Sequence, residues 1–234
     1  MRIVNKFLNH IDYFKHNIDD VNINIKICHS KEAYMELVCT EHKKKHKLSD
    51  SIKRIFEKSY GLTFSDGNNA TVIIKEIPEK TLKDKIKNTL IIYHELSHAF
   101  NRSRLIDIRE NTTDDIVLDG KCFIDELLAH YDSMYCIKRE YNILFDDRID
   151  EIEKMLDFIR NEGFSLYPVC VLISYVLLYI NESDIEKVDS QYIDTLIEII
   201  DISSDVEYLI TKEKITEDDC KNIISVCANN LSVI

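Results

Sequence analysis

The sequence predicts an α+β fold that is mostly helical, with a small sheet in its first half and a helical C-terminal region. The chain has 234 residues but only 4 Gly and 2 Pro, which favours long helices and few tight turns. Two short segments are rich in alternating or β-branched residues, as strands are. Elsewhere the apolar residues recur at spacings of three and four, which is typical of one face of a helix.

The first predicted strand follows a predicted helix over residues 2–17. Residues 21–27 read Val-Asn-Ile-Asn-Ile-Lys-Ile. Because side chains alternate across a strand, this pattern predicts a half-buried strand with all four apolar residues on one face. Those residues are Val21, Ile23, Ile25 and Ile27.

The second predicted strand comes after two more helices. Helical periodicity covers residues 31–45 and 51–60, and Gly61 is expected to end the second of these helices. Residues 65–69 read Ser-Asp-Gly-Asn-Asn and predict a turn. The β-branched run over 71–77 predicts the strand, which ends before a proline.

The central helix is expected to begin after Thr81, since Asp84 stands three residues later, as in a capping box. It should continue to about Phe100. Residues 102–120 are polar and acidic and are interpreted as a connection. A further helix is expected from about Phe123 to Tyr141.

The last third of the chain is predicted to be entirely helical and acidic. Residues 146–234 contain 20 Asp and Glu against 7 Lys and Arg, whereas the preceding residues are almost neutral. The charge change suggests two regions, 1–145 and 146–234, and it argues against a nucleic-acid partner, since acidic surfaces repel phosphates. Helices are predicted near 148–160, 166–181, 186–201 and 216–229.

Neither a membrane span nor a secretory signal is predicted. The most apolar stretch, residues 166–180, has 15 residues, fewer than the ~20 that cross a bilayer. The seven cysteines are scattered and form no Cys-x-x-Cys pair, which indicates free thiols in a reducing compartment. A cytoplasmic protein is therefore expected.

The segment His94-Glu95-Leu96-Ser97-His98 carries the chemistry that the sequence suggests. Two histidines four residues apart lie on one face of a helix, where they can chelate one ion. Zn²⁺ lowers the pKa of a bound water to about 7, and the adjacent Glu95 is placed to take its proton. The alternative is a chance match, with both histidines on the helix surface.

A catalytic zinc needs a third protein ligand and one open position. Glu126 is the candidate, because it lies on the next predicted helix, which can pack against the first. Ala129, one turn later, would allow a close approach of the two helices.

These residues resemble those of the gluzincins, zinc peptidases in which an HExxH helix is joined by a Glu from a second helix. The run Glu126-Leu-Leu-Ala129-His130 is similar to the Glu-x-x-Ala-Asn pattern of the ImmA/IrrE-like intracellular peptidases. The resemblance covers roughly residues 71–141 and implies a zincin-like fold for residues 1–145. It also implies that the strand over 71–77 is an edge strand that pairs with an extended substrate.

The sequence departs from the gluzincin pattern at His130, where some members place an Asp that orients a zinc-bound His. His130 shares a helix face with Glu126, so it could orient a ligand, stabilise an oxyanion or replace a ligand. An ordinary polar helix residue is the remaining reading. The metzincin pattern is absent, since Asn101 and Arg104 stand at its later positions.

The sequence thus predicts a zinc-dependent endopeptidase that cleaves an intracellular protein or peptide. His94, His98 and Glu126 are the predicted Zn²⁺ ligands, while Glu95 and His130 are the predicted catalytic residues. Such an enzyme needs restraint, by a regulatory partner or by its own C-terminal helices. The rival hypothesis is a non-catalytic metal-binding protein that works through its acidic C-terminal region, with a zinc site that His130 closes.

Overall fold

The computed structural model describes residues 2–11, 21–66, 68–102, 104–105, 108, 112–144, 147–162 and 165–230. The fold is α+β and mostly helical, with one three-stranded sheet in the described residues. The predicted fold class is confirmed at this level.

The sheet contains β1 (Asn22–Cys28), β2 (Gly61–Asp66) and β3 (Asn69–Lys75), in the order β1-β3-β2. β3 pairs in parallel with β1 and antiparallel with β2. The prediction that residues 71–77 form an edge strand is therefore wrong, because both sides of β3 are paired. The edge that neighbours the central helix belongs to β2, a strand that sequence periodicity did not reveal.

Three short helices belong to this half of the chain, α1 (Arg2–Ile11), α2 (Lys31–Lys43) and α3 (Asp50–Lys58), and α2 packs against all three strands. The helix predicted over 2–17 is described only to Ile11, and the rest of that prediction lies outside the described residues. Gly61 does not end α3 but begins β2. In β1, Ile27 is 49% exposed, so the predicted apolar face is only partly buried.

The central pair consists of α4 (Leu82–Asn101) and α5 (Asp115–Tyr141), which pack against each other. The predicted capping box of Thr81 and Asp84 is present at the start of α4. α5 begins well before Phe123, because the carboxylate of Asp114 accepts hydrogen bonds from the first backbone N–H groups of the helix. The predicted connection is correspondingly shorter.

The C-terminal helices pack against α5 and against one another. They are α6 (Ile149–Glu162), α7 (Leu166–Tyr179), α8 (Ile193–Val206), α9 (Tyr208–Thr211) and α10 (Glu217–Asn230). The helix predicted over 186–201 is wrong in position, since short 3₁₀ turns precede α8. One hydrophobic cluster joins residues from both sides of position 145. No helix in the described ranges is both long and apolar enough to cross a membrane.

A buried polar network fastens α4 to the C-terminal helices. Ser97 donates a hydrogen bond of 2.5 Å to Asp132 on α5, and Asn101 donates one of 2.8 Å to Ser97. Arg104 is 2% exposed and hydrogen-bonds to Asn101. Its guanidinium also donates to the backbone carbonyls of residues 209, 210 and 212. The end of α4 is thereby tied to the segment around α9.

Candidate metal centre

Four predicted site residues converge where α4 and α5 cross. His94 and His98 are one turn apart on α4, and Glu126 and His130 are one turn apart on α5. The ligand atoms of His94, Glu126 and His130 all lie within 4.8 Å of one another. We call these four residues, together with Asp125, the metal centre.

The distances within the metal centre suit a single ion. His94 Nε2 lies 3.1 Å from His98 Nε2, and each of these atoms lies 3.6 Å from a different oxygen of Glu126. Ligands at about 2.0–2.1 Å from a tetrahedral zinc are about 3.3–3.4 Å apart. Each nearest distance is close to that spacing, but the two distances to Glu126 end on different oxygens, so a shared ion would require a small rearrangement.

His130 is also directed at the metal centre. Its side chain is 9% exposed, and its Nε2 lies 3.7 Å from Glu126 Oε2. That nitrogen is buried and has no hydrogen-bond partner. A buried polar atom without a partner is costly, so an ion that accepted its lone pair would relieve the cost. His130 can thus bind an ion as a fourth ligand, or lie next to the ion without binding it.

Asp125 orients His98, a role that the sequence interpretation had considered for position 130. Asp125 Oδ2 lies 3.1 Å from His98 Nδ1. A carboxylate at this nitrogen favours a proton on Nδ1, so that Nε2 is the nitrogen that would bind a metal. An Asp directly before a ligand Glu was the available sequence signal, but only the packing of α5 on α4 reveals its partner.

Glu95 lies beside the metal centre and contacts the edge strand β2. Thr63 Oγ1 is 2.8 Å from both the backbone carbonyl and the Oε2 of Glu95. A Cβ added to Gly61 would lie 2.6 Å from Glu95 Cγ, so the absence of a side chain there makes room for the carboxylate. Thr63 and Gly61 were not predicted as site residues, because β2 itself was not predicted.

The electrostatics of the metal centre favour a positive ion. Burial lowers the pKa of His94 well below its usual value, and burial together with His98 lowers the pKa of His130 to about 3. Both imidazoles are therefore neutral, and each has a lone pair that could bind a metal ion. Burial opposes protonation of His98, but Asp125 and Glu126 outweigh it and raise its pKa to about 10. The two carboxylates thus draw positive charge into the centre.

Glu95 has an unusual carboxyl group for a different reason. Burial raises its pKa to about 7, although His98 and Thr63 act in the opposite direction. A carboxyl group with a pKa near the ambient pH can both accept and release a proton. This is the property that acid–base chemistry at neutral pH requires.

The comparisons with known proteins add no relative. The chain matches no protein-family model, no curated protein and no solved structure. The gluzincin resemblance therefore stays a resemblance, carried by the residues described above.

The metal centre opens into a large cleft of about 1580 Å³. β2 forms one side, α4 and α5 form the floor, and residues of α6 and α7 line the other side, among them Tyr167, whose ring edge meets His130. Helices from the acidic C-terminal region therefore help to build the cleft. A site with access to solvent can admit a substrate.

The outer edge of β2 borders this cleft and pairs with no strand in the described residues. Lys75 donates its backbone N–H to the carbonyl of Tyr60, and the register makes this the first of the hydrogen-bonded pairs. Since inward and outward backbone groups alternate along an antiparallel strand, those of Gly61, Thr63 and Ser65 face away from β3. They lie on the same strand that holds Glu95.

Proposed function

We propose that this protein is a zinc-dependent endopeptidase that cleaves an extended protein segment. One observation carries the proposal: the side chains of His94, His98 and Glu126 converge next to a buried Glu95, on a cleft that the outer edge of β2 borders. A structural zinc site needs neither the carboxylate nor the cleft. A peptidase needs both.

Each residue of the site would have its own role in peptide hydrolysis. A zinc ion held by His94, His98 and Glu126 would supply the Lewis acidity that polarises a carbonyl and makes water nucleophilic at neutral pH. Glu95 would take a proton from the attacking water and later deliver it to the leaving amine. Thr63 holds Oε2 of that carboxylate, which leaves Oε1 for proton transfer. Asp125 would keep His98 in the tautomer that binds metal.

The substrate would lie against β2 in an extended conformation. Gly61 and Thr63 turn their backbone N–H and carbonyl groups to the free edge, and backbone hydrogen bonds of this kind recognise a peptide largely independently of its sequence. This assignment replaces the edge role expected of residues 71–77. It departs from the gluzincin resemblance, in which the strand directly before the HExxH helix is the edge strand.

A reducing, cytoplasmic location belongs to the same proposal. All seven cysteines are free thiols, and five of them are buried, as is usual in proteins that never meet an oxidising compartment. A cytoplasmic peptidase would act on a protein or peptide substrate and would need restraint by a regulatory partner.

Two variants test the proposal. Purified protein should contain close to one zinc per chain, and His94→Ala should lose both the zinc and the peptidase activity. Glu95→Gln should keep the zinc and lose the activity, since the amide cannot accept a proton. His46→Ala, at an exposed histidine after α2, is the control and should change neither. Full activity in Glu95→Gln would refute the mechanism.

The rival function, a non-catalytic metal-binding protein, is favoured by one observation: the unpartnered Nε2 of His130 points at the metal centre. If His130 closes a structural site, His130→Ala should release most of the zinc and lower the free energy of unfolding. If the site is catalytic with three ligands, the variant should keep its zinc. Metal content and thermal unfolding of this one variant separate the two functions.

A further inference from the structure

The cleft beside β2 has an excess of positive charge, although the whole chain has a net charge of −12. Two cleft acids form ion pairs within it: Asp66 with Lys45 at 3.1 Å, and Glu151 with Arg148 at 2.8 Å. In the described part of the chain, the only other acids that line the cleft are Glu95 and those of the metal centre. The further cations that line it are Lys58, Lys83, Lys87, Arg102 and Lys121.

Three of these lysines cluster at one end of the cleft. Lys58 precedes β2, and Lys83 and Lys87 are one turn apart on α4; all three are exposed and form no ion pair with a described residue. Lys87 Nζ lies 4.8 Å from the centre of the Tyr60 ring, which holds it beside the start of β2. Among the described residues, none of the acids that line the cleft forms an ion pair with these lysines.

The spacing of the cluster fits an extended chain. A helix rises ~1.5 Å per residue, so Lys87 and Lys83 lie roughly 10 Å and 16 Å from His94 along α4. An extended peptide rises ~3.3 Å per residue, so these lysines would meet side chains about three to five residues from the cleaved bond.

We infer that the substrate is an acidic segment, with Asp or Glu several residues from the bond that is cut. The inference rests on the proposed function for the identity of the occupant, and on charge complementarity for its chemistry. Opposite charges steer an encounter and fix register, and like charges exclude wrong partners. A neutral or basic segment would leave the lysines of the cleft without partners.

Binding can be measured without turnover. Two pools of labelled peptides of equal length, identical in their randomised central residues, carry Asp and Glu or Asn and Gln in both flanks. Fluorescence anisotropy with the zinc-loaded Glu95→Gln protein should show that the acidic pool binds more tightly by roughly tenfold, given that exposed ion pairs contribute ~0.2–1 kcal/mol each. The difference should shrink in high salt, because exposed charges are screened.

A charge reversal locates the effect. The triple variant Lys58→Glu, Lys83→Glu and Lys87→Glu should lose the preference for the acidic pool. The matched control reverses three exposed lysines that do not line the cleft, with the same change in net charge, and should keep the preference. These are Lys31, Lys43 and Lys154.

Each other outcome overturns the inference. Equal binding of the two pools, no measurable binding of the acidic pool, or an equal effect of the two triple variants would each show that the cleft does not select acidic segments. Cleavage of the same pools by the wild-type protein separates this from the proposed function. Equal cleavage of both pools would refute only the selectivity, and acidic binding without any cleavage would refute only the peptidase.

Discussion

Two clusters of buried polar residues lie along the contact between α4 and α5, and they differ in what they are tied to. In the first, Ser97, Asn101 and Arg104 hydrogen-bond to one another, to Asp132 and to backbone carbonyls around α9. In the second, the metal centre, imidazoles and carboxylates face one another. Hydrogen bonds join the first cluster to the backbone of the C-terminal helices, whereas the second consists of groups that can bind a metal ion.

Partnerless atoms in the metal centre are informative because they are costly. His130 Nε2 and Asp125 Oδ1 are both buried without a hydrogen bond, and burying such groups unpaired costs about 1–3 kcal/mol each. A fold tolerates this where a ligand completes the site. The comparison therefore assigns stability to the Arg104 cluster and function to the metal centre, and a substitution can test each assignment.

The largest effect, a loss of stability, is expected for Arg104→Met in the first cluster. Methionine fills a similar volume but leaves several buried carbonyls around α9 without a donor, so the free energy of unfolding should fall by about 3–5 kcal/mol. Chemical denaturation measures this loss. Arg54→Met, at an exposed position on α3, should stay within about 0.5 kcal/mol of wild type.

Zinc binding at the metal centre should not change with the stability in the same experiment. Zinc per folded chain should be unchanged in Arg104→Met, because the residue contacts no member of the metal centre. If this variant retained full stability, or lost zinc while folded, the assignment of stability to the Arg104 cluster and of function to the metal centre would be wrong.

The second effect, in Asp125→Asn, should change metal affinity rather than stability. An amide is a weaker acceptor for the Nδ1–H of His98, so zinc affinity should fall about 10–100-fold. Competition with a chromophoric chelator measures the affinity. Unfolding with excess chelator should shift by less than about 1 kcal/mol. Asp119→Asn, at an exposed site on α5, is the control, and an unchanged affinity in Asp125→Asn would remove its proposed orienting role.

The smallest effect is expected for Gly61→Ala, which tests whether β2 positions Glu95 beside the metal centre. The new methyl group would meet Glu95 Cγ at 2.6 Å, so the buried side chain of Glu95 would have to shift. Turnover should fall about tenfold, because proton transfer depends on the position of that carboxylate.

Kinetics on the best-cleaved peptide of the acidic pool measure this change, and zinc content should remain near one per chain. Ser65→Ala, two positions beyond Thr63 on β2, should leave turnover near the wild-type rate. Equal rates for Gly61→Ala and wild type would mean that β2 does not position Glu95.

Local patterns in the sequence were sufficient to predict the helix that carries the motif. The capping box at Thr81, the spacing of His94 and His98 and the second-helix position of Glu126 are all features of short range or of helical period. The structure brings these three site residues together, along with His130. Their predicted roles as ligands and catalyst stay predictions.

The sheet and the partners of the site residues were not predictable in this way. β2 is short, the alternation of Leu62 and Phe64 with polar residues spans only four positions, and the segment becomes a strand through pairing with β3. Strand order decides which strand is the edge, and it depends on contacts distant in sequence. Asp125 and Thr63 find their partners only through packing between elements, so their roles were missed.

Lys45 limits how far the free edge of β2 can be used. Its Nζ donates a hydrogen bond of 2.9 Å to the carbonyl of Ser65, one of the outward groups of the strand. Exposed strand edges invite two copies of a protein to join into a larger sheet, and a lysine at the edge discourages it. The remaining outward groups, at Gly61 and Thr63, suffice for a short visiting peptide but are too few for stable self-association through β2.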